Sequence, residues 1–474
     1  MQLRIAGQSS SSLKRIAIAI EVCALGWLIR SEDLDWVSPT LLAAIGAVAC
    51  VALMFTAWPV GATVLLIAGS AAPRFVWSAG NFHFHLEHVA ILAAMVAILI
   101  KRGYRGVGRA DIHLFDWFLI AYVGLNFFSS AFTSPEPHNT LRWATLQTSV
   151  IICFFLLRFL VRTRDILWKA WLALLVAGAA GSLYGCVAFL SNRLFRTTFG
   201  VEAEQYGGLP GTYGTQYEAN IFGSYAACVA IMFLAGFLMS RAANRKWWIA
   251  GFLVGSFALV VSMSRAVLLS FPLAVLFAFW MTAKAQHLDT KRMVKITLTA
   301  AATLLLATPF LLPMLRERFD KLTDISALTE DETTVERLIQ MKVAADNIRD
   351  HPVFGTGTAS FQLFFNWQQY VPEMGDMSGW LGNTPIRILN DTGVIGLTVF
   401  LCFLGSLGWR LRKILHYSDH RTRTVLVALA CGIFLYAMTF QSTEATMLAF
   451  PWIHLGLLAS GVVIVARESL QPIF

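Results

Sequence analysis

The chain has 474 residues, of which 57% are hydrophobic and only 14% are charged, and its mean hydropathy is +0.63. Ordinary soluble domains carry a much larger share of charged residues, so this composition excludes a water-soluble enzyme or regulator. The net charge of +9 could suit a nucleic acid, but we expect no such partner, because in a membrane protein the distribution of Lys and Arg matters more than their total. The composition predicts an all-α polytopic membrane protein embedded in a lipid bilayer.

Apolar runs of about 15 to 25 residues recur along the chain, and each is roughly long enough to cross a bilayer. They predict about 12–14 transmembrane helices. The first run follows Lys14 and Arg15 and has no signal-peptide cleavage site, so we interpret it as a retained anchor. The runs begin near Ile16, Thr40, Val60, His88, Leu114, Leu141, Ile166, Ile221, Trp247, Ala266, Ile296, Gly393, Thr424 and Pro451.

Lys and Arg are concentrated at both ends of the chain and in alternate connections between the runs. Cytoplasmic loops are enriched in these residues, so both termini and the basic connections are predicted to be cytoplasmic. The basic connections are 101–109, 158–169, 241–246, 284–295 and 410–423. The outer connections are then the loop 191–217, the Ser264–Arg265 turn, the segment 314–391 and the turn 441–446.

The longest polar interruption divides the chain into three parts. Residues 1–313 are predicted to form transmembrane helices 1–11 with the outer loop 191–217. Residues 314–391 are predicted to form a helical extracytoplasmic domain, and residues 392–474 the C-terminal transmembrane helices. Within the outer domain, a capping-box pattern at Thr333 and Glu336 predicts a helix that stops before Pro352.

One outer connection contains His83, His85, Glu87 and His88, whose spacing could suggest a metal site. These positions do not share one helical face, so we favour aromatic contacts at the membrane interface. All seven cysteines fall inside predicted spans, which indicates packing residues rather than disulfides or ligands. No metal and no cofactor is predicted.

Three other residues on the predicted outer side, in two connections, could take part in binding or catalysis. Glu218 and Asn220 follow a stretch rich in Gly and Tyr and precede an apolar run, where they could bind a ligand or merely cap a helix. Arg265 follows Ser264 in a tight hairpin. Its guanidinium could bind a phosphate through two parallel hydrogen bonds, or could simply extend to the membrane surface.

Four motifs occur in order on the predicted outer side. Gly211-Thr212-Tyr213 followed by Glu218 to Gly223 is similar to G-T-F…(E)-P-N-x-x-G, and Ser262 to Ala266 is similar to S-x-S-R-[GA]. Arg337 to Gly357 is similar to an Arg-led helix ending in h-P-l-f-G-v-G, and Leu389 to Leu397 to l-x-E-x-G-l-i-G. Together they resemble the O-antigen ligase and polymerase superfamily, membrane glycosyltransferases that act on lipid-linked glycans outside the cytoplasmic membrane.

The resemblance implies a GT-C-like glycosyltransferase of the bacterial cytoplasmic (inner) membrane, with its active site on the periplasmic side and a polyprenyl (undecaprenyl) diphosphate-linked glycan as donor. Inverting transfer to a sugar hydroxyl needs positive charge beside the leaving diphosphate and can use a base. We predict Arg265 for the first role and Glu218 for the second, with His351 and Asp391 as other candidate bases. Residues predicted to bind the substrate or its diphosphate are Arg193, Arg196, Asn220, Ser264, Arg337, His351, Arg387 and Asp391.

One difference between this chain and the family pattern concerns the acceptor. Ligases of this family usually have a His directly before an Asn, upstream of the fourth motif, whereas this chain has Gly382-Asn383. The difference favours a polymerase, whose acceptor is another lipid-linked glycan. The alternative is a ligase that transfers the glycan to lipid A core or to a protein. A flippase for lipid-linked sugars is a second alternative, although no repeated halves are visible.

Overall fold

The computed structural model describes residues 57–74, 76–79, 82–102, 112–206, 209–240, 245–286, 332–366, 379–444 and 446–470. Most of these residues are helical, and two small two-stranded antiparallel sheets accompany the helices. The predicted spans near Ile16, Thr40 and Ile296 lie outside the described residues.

The elements follow one another with short connections wherever the chain is described. The helices are α1 Val60–Ser70, α2 Leu86–Arg102, α3 Leu114–Phe132, α4 Pro137–Leu160, α5 Arg164–Phe195, α6 Ala219–Met239, α7 Arg245–Val261, α8 Arg265–Ala285, α9 Glu332–Asp350, α10 Phe361–Phe364, α11 Thr384–Ile414, α12 His420–Thr439 and α13 Ala449–Leu470. The strands β1 Val76–Ala79 and β2 Phe82–His85 form one sheet, and β3 Val201–Tyr206 and β4 Leu209–Thr212 form the other.

Within the described residues, eight helices are long and apolar enough to cross a membrane, namely α3, α4, α5, α6, α8, α11, α12 and α13. Three shorter apolar helices, α1, α2 and α7, accompany them. Each of these eleven helices covers one of the predicted apolar runs. The prediction of an all-α polytopic membrane protein is therefore confirmed.

The centre of the bundle is formed by α6 and α13, whose residues are the most deeply buried. Helix α11 instead exposes large aliphatic side chains, such as Val394 and Leu401, on the surface of the bundle. Exposed aliphatic side chains on a spanning helix are suited to contact with lipid. The described cysteines are free: Cys153, Cys186, Cys228 and Cys431 are buried, whereas Cys402 is exposed.

Ion pairs gather several helix termini at one end of the bundle. Arg158 Nη2 lies 2.9 Å from Asp116 Oδ2, which joins the end of α4 to the start of α3. Arg164 at the start of α5 pairs with Asp419 at 2.7 Å and also with Glu468 near the end of α13. We call this end, which carries the described basic connections, the basic end. The opposite end holds the four motifs, and we call it the motif end.

A small second core lies at the motif end. Val343 and Ala344 of α9 pack against α10 and against the start of α11, with Ile339 and Ile386 at the edge. Helix α9 ends at Asp350, as the position of Pro352 predicted. The side chains of Thr333 and Glu336 lie outside the described part, so their capping box stays a prediction.

Candidate functional site

The third and fourth motifs form one backbone unit at the motif end. Helix α11 is broken at Gly393, which has φ 64° and ψ −170°. Val394 N cannot then bond within the helix and donates instead to Pro352 O at 2.9 Å. The carbonyl oxygens freed by the break, those of Asn390 and Asp391, accept hydrogen bonds from the amides of Thr356 and Gly357 at 3.0 and 2.9 Å. The bend after α9 therefore satisfies the backbone groups that the break leaves unpaired.

Two glycines make this close approach possible. A Cβ on Gly355 would lie 2.5 Å from Asn390 O, and a Cβ on Gly393 would lie 2.2 Å from the carbonyl carbon of Val353. Both glycines also have positive φ, which side chains disfavour. The glycines thus allow the backbone of the bend after α9 to pack directly on the backbone of the broken start of α11.

Asp391 and Arg387 are buried in one polar network beside this unit. Asp391 Oδ2 accepts from Ala359 N at 2.9 Å and lies 3.4 Å from Arg387 Nε. The guanidinium of Arg387 also lies 5.1 Å from the ring centre of Trp380. Its Nη1 is 2.5 Å from Glu444 Oε2. These contacts favour a structural role for Asp391 rather than that of an accessible base.

Glu444 belongs to the polar network of Arg387, although it was not among the residues predicted from the sequence. It lies in the short turn between α12 and α13, and its Oε1 accepts a hydrogen bond from Thr446 N at 2.5 Å. The turn packs on the start of α11, where Thr384 N donates to Phe440 O at 2.9 Å. Asn383 Nδ2 donates to Gln441 O at 2.6 Å. The sequence could have indicated Glu444, because it is a carboxylate in a short connection that is predicted to lie on the outer side.

The first and second motifs meet at Gly223 of α6. A Cβ there would lie 2.5 Å from Ser262 Oγ and 3.2 Å from Ser264 Cβ. Met263 turns the hairpin with φ 57°, and Arg265 is the first residue of α8. Arg265 therefore starts its helix beside a point on α6 that is roughly 8 Å along the helix from Glu218.

Glu218 does not cap α6 through its side chain, although it occupies the N-cap position. The cap is provided by Glu202, whose Oε1 accepts from Ala219 N at 3.0 Å. The Glu218 side chain is exposed at one side, but the protein around it partly desolvates the carboxylate, and this desolvation raises its pKa. The negative charges of Glu202 and Glu444 raise that pKa further, whereas the positive charge of Arg337 lowers it. The Glu218 side chain therefore does not cap α6, which was one of the two roles considered for it.

Among the predicted site residues, Arg387 and Asp391 are in direct contact, and others influence one another through their charges. Glu218 lies within electrostatic reach of Arg337 on α9 and of Glu444, which in turn pairs with Arg387. Ser264 is buried against α6, and Asn220 lies in the first turn of that helix. The other predicted residues lie elsewhere at this end: Arg193 and Arg196 are exposed at the end of α5, and His351 is exposed in the turn after α9.

The histidine-rich connection makes protein contacts. His85 Nδ1 lies 2.6 Å from the hydroxyl of Tyr217, and that hydroxyl donates to Pro73 O at 2.7 Å. Glu87 Oε2 accepts from Ala449 N at 3.2 Å, at the start of α13. In the part of the chain that the structure describes, no group of three or more His, Cys, Asp or Glu side chains could hold a metal. The side chain of His83 is not among the described ones.

Residues 250–401 match the family model described as O-antigen ligase. This stretch carries an O-antigen ligase domain. The domain contains the second, third and fourth motifs, whereas the first motif lies before it, and the resemblance to the superfamily is confirmed over the matched residues. Comparison with curated proteins gave no match. The O-antigen ligase domain thus includes Arg265, Arg337, Arg387 and the broken start of α11, and Gly223 joins it to the first motif.

Proposed function

We propose that this protein is a membrane glycosyltransferase that moves a glycan from polyprenyl (undecaprenyl) diphosphate to a sugar hydroxyl at the outer face of the bacterial cytoplasmic membrane. The O-antigen ligase domain and the eight described helices that are long and apolar enough to cross a membrane support this class. The observation that carries the proposal is the contact of Gly223 with the hairpin of Ser262 and Ser264. That contact holds Arg265 next to the helix that begins after Glu218.

The chemistry requires positive charge beside the leaving group. When the bond between the sugar and the phosphate breaks, negative charge grows on the diphosphate, and Arg265 stabilises it. Helices α6, α8, α11 and α13 all begin at the motif end, and helix N-termini favour anions. The loss of one charged donor costs about 3 kcal/mol of transition-state stabilisation, or roughly a hundredfold in rate.

The acceptor hydroxyl must lose a proton as its oxygen bonds to the sugar carbon. Glu218 takes this proton, and its raised pKa makes it a better base at neutral pH than an ordinary carboxylate. Attack opposite the departing diphosphate inverts the configuration at the sugar carbon. The products are the extended glycan and free polyprenyl diphosphate.

The acceptor is most consistent with another lipid-linked glycan, as in a polymerase. At Gly382, where ligases usually have His, an added Cβ would lie 3.9 Å from Ser442 O, its one neighbour within 4 Å among the described residues. The described neighbours therefore leave room for a Cβ at this position, yet the chain has glycine there. The alternative function is a ligase with lipid A core or a protein as acceptor. Single repeats on the carrier in a deletion strain support the polymerase, and long unattached polymer would rule it out in favour of the ligase.

The activity can be tested with purified protein in liposomes that contain a labelled lipid-linked glycan. We expect transfer of label to a second lipid-linked glycan, and a roughly hundredfold loss in Arg265→Ala. Arg142→Ala is the matched control, because Arg142 is exposed at the start of α4. Unchanged transfer by Arg265→Ala would refute the site, and movement of glycan across the bilayer without transfer would favour a flippase.

A further inference from the structure

Two tryptophans form an aromatic corner at the motif end. The rings of Trp143 on α4 and Trp380 just before α11 stand at 88° to each other, and their centres are 5.2 Å apart. Trp380 is 40% exposed, whereas its neighbour Leu381 is buried in the second core against Val343 and Ala344. Because Leu381 anchors this segment, the Trp380 ring is held at the surface and remains partly open.

Buried polar side chains lie behind this corner. The guanidinium carbon of Arg387 lies 5.1 Å from the ring centre of Trp380, and Gln147 follows Trp143 by one turn on the same face of α4. Nη1 of Arg387 faces Glu444 Oε2 at 2.5 Å, yet neither Nη1 nor Nη2 makes a hydrogen bond of good geometry among the described residues. In the same part of the chain, Oε1 of Gln147 also has no hydrogen-bond partner. The corner therefore covers unused donors and an unused acceptor.

These polar groups belong to one connected network. Gln147 Nε2 donates to Thr446 Oγ1 at 3.3 Å, and Thr446 N donates to Glu444 Oε1 at 2.5 Å. Glu444 in turn forms the ion pair with Arg387. Buried polar atoms without hydrogen-bond partners are costly, so a ligand that satisfies them is stabilised.

The charge of the network selects the kind of ligand. The single positive charge of Arg387 already faces two carboxylates, those of Asp391 and Glu444. A diphosphate or another anion would be repelled by this surplus of negative charge. A hydroxyl group is neutral and can both accept from Arg387 and donate to Gln147. Aromatic side chains with a few polar groups are the usual lining of a small-molecule site, and an aromatic ring suits the apolar C–H face of a sugar.

We infer that Trp143 and Trp380 form a subsite for a neutral sugar ring of the glycan substrate. The sugar stacks on the open part of the Trp380 ring, with Trp143 as the second wall. Nη1 and Nη2 of Arg387 are closed to solvent, so the Trp380 ring swings aside far enough for one sugar hydroxyl to reach Arg387 and Gln147. This inference rests on the proposed function, and it places the sugar apart from the diphosphate that Arg265 binds.

The test measures sugar binding without turnover. The probe is the lipid-free oligosaccharide repeat released from the protein's own lipid-linked substrate, titrated calorimetrically into protein in nanodiscs. Trp380→Leu should weaken binding about tenfold, because leucine is apolar but has no ring face. Trp409→Leu is the matched control, since Trp409 is 58% exposed on α11 at the basic end and carries Lys413 Nζ at 5.0 Å from its ring centre.

Trp143→Leu provides a second variant and should show a similar loss, with melting temperatures to check that each variant is folded. Equal affinities of the wild type and both folded corner variants would overturn the subsite and leave the two tryptophans as anchors at the membrane surface. Binding to the wild type should also change little between low and high salt. A steep loss of affinity with salt would overturn the neutral sugar in favour of an anion.

The liposome assay separates this role from the chemistry. Trp380→Leu should raise KM more than it lowers kcat, because it removes binding that ground state and transition state share. A loss confined to kcat would contradict a binding role for Trp380. An absence of transfer by the wild-type protein would overturn the proposed function alone, because the titration of the oligosaccharide still tests the subsite.

Discussion

Gly393 lies against Val353 so closely that a Cβ would stand 2.2 Å from the Val353 carbonyl carbon. This contact joins the bend after α9 to the broken start of α11. Because Gly393 also has φ 64° and ψ −170°, a conformation open almost only to glycine, both the backbone and its neighbour exclude a side chain.

Replacement of Gly393 by Ala should therefore destabilise the protein by about 2–4 kcal/mol, from backbone strain and overpacking together. The measurement is thermal unfolding of the purified protein in detergent. Gly405→Ala is the matched control, because Gly405 lies in the same helix and an added Cβ there meets nothing within 4 Å. Equal melting temperatures for the two variants would contradict the packing described for Gly393.

Substitution of Gly223 by Val should reduce transfer at least tenfold, since the added side chain would displace Ser262 and Ser264 and with them Arg265. The transfer assay measures this effect, and size-exclusion chromatography checks that the variant is folded. Gly124→Val on α3 is the comparison, because a Cβ at Gly124 has open space around it. Full activity of a folded Gly223→Val protein would show that the contact of Gly223 with Ser262 and Ser264 is not needed for transfer.

Asp391→Asn should cost about 1–3 kcal/mol, because it weakens the hydrogen bond that the buried carboxylate accepts from Ala359 N and removes one of the two carboxylates beside Arg387. Chemical or thermal unfolding gives the difference in stability. Asp165→Asn makes the same chemical change in a pair whose Asp side chain is 58% exposed, so it should cost less than about 1 kcal/mol. A small effect at Asp391 would show that Glu444 alone is sufficient to hold Arg387.

The free energy of unfolding should fall at acidic pH, because Asp419 at the basic end becomes protonated. Burial alone would raise the pKa of Asp419, but hydrogen bonds from Thr422 and the charge of Arg164 outweigh it, and the pKa lies below its ordinary value of 3.8. A carboxyl with a lowered pKa stabilises the fold above the unfolded value, and this contribution is lost as the pH falls through the folded value. Melting temperatures from neutral pH to about pH 3 measure the loss. Asp419→Asn should melt lower at neutral pH and depend less on pH; an unchanged pH dependence would assign the acid sensitivity to other groups.

Gly382→His should fold, because a Cβ at position 382 makes only an ordinary van der Waals contact, with Ser442 O, among the described residues. If this position is equivalent to the His of ligases, the same substitution should restore part of the transfer lost in Glu218→Gln. The restored activity should fall below about pH 6.5, the ordinary pKa of His. A stable double variant without any activity would show that a base at 382 cannot reach the acceptor.

Much of the fold could be predicted from local patterns. Each of the eleven apolar helices covers an apolar run, because a segment that crosses a bilayer must satisfy its own backbone hydrogen bonds and present apolar side chains along its whole length. The end of α9 before Pro352 follows from the same kind of local constraint. The order of the four motifs also pointed to the O-antigen ligase domain found at residues 250–401.

The sequence by itself determined the membrane-spanning class, the helix positions and the motifs, since these depend on residues that are near one another in the chain. Only the tertiary structure decided that Glu202 caps the helix after Glu218, that Glu444 pairs with Arg387, and that Val353 covers Gly393. Each of these contacts joins residues far apart in the chain. No local pattern encodes them, because they depend on how the helices pack and on which buried charges find a partner.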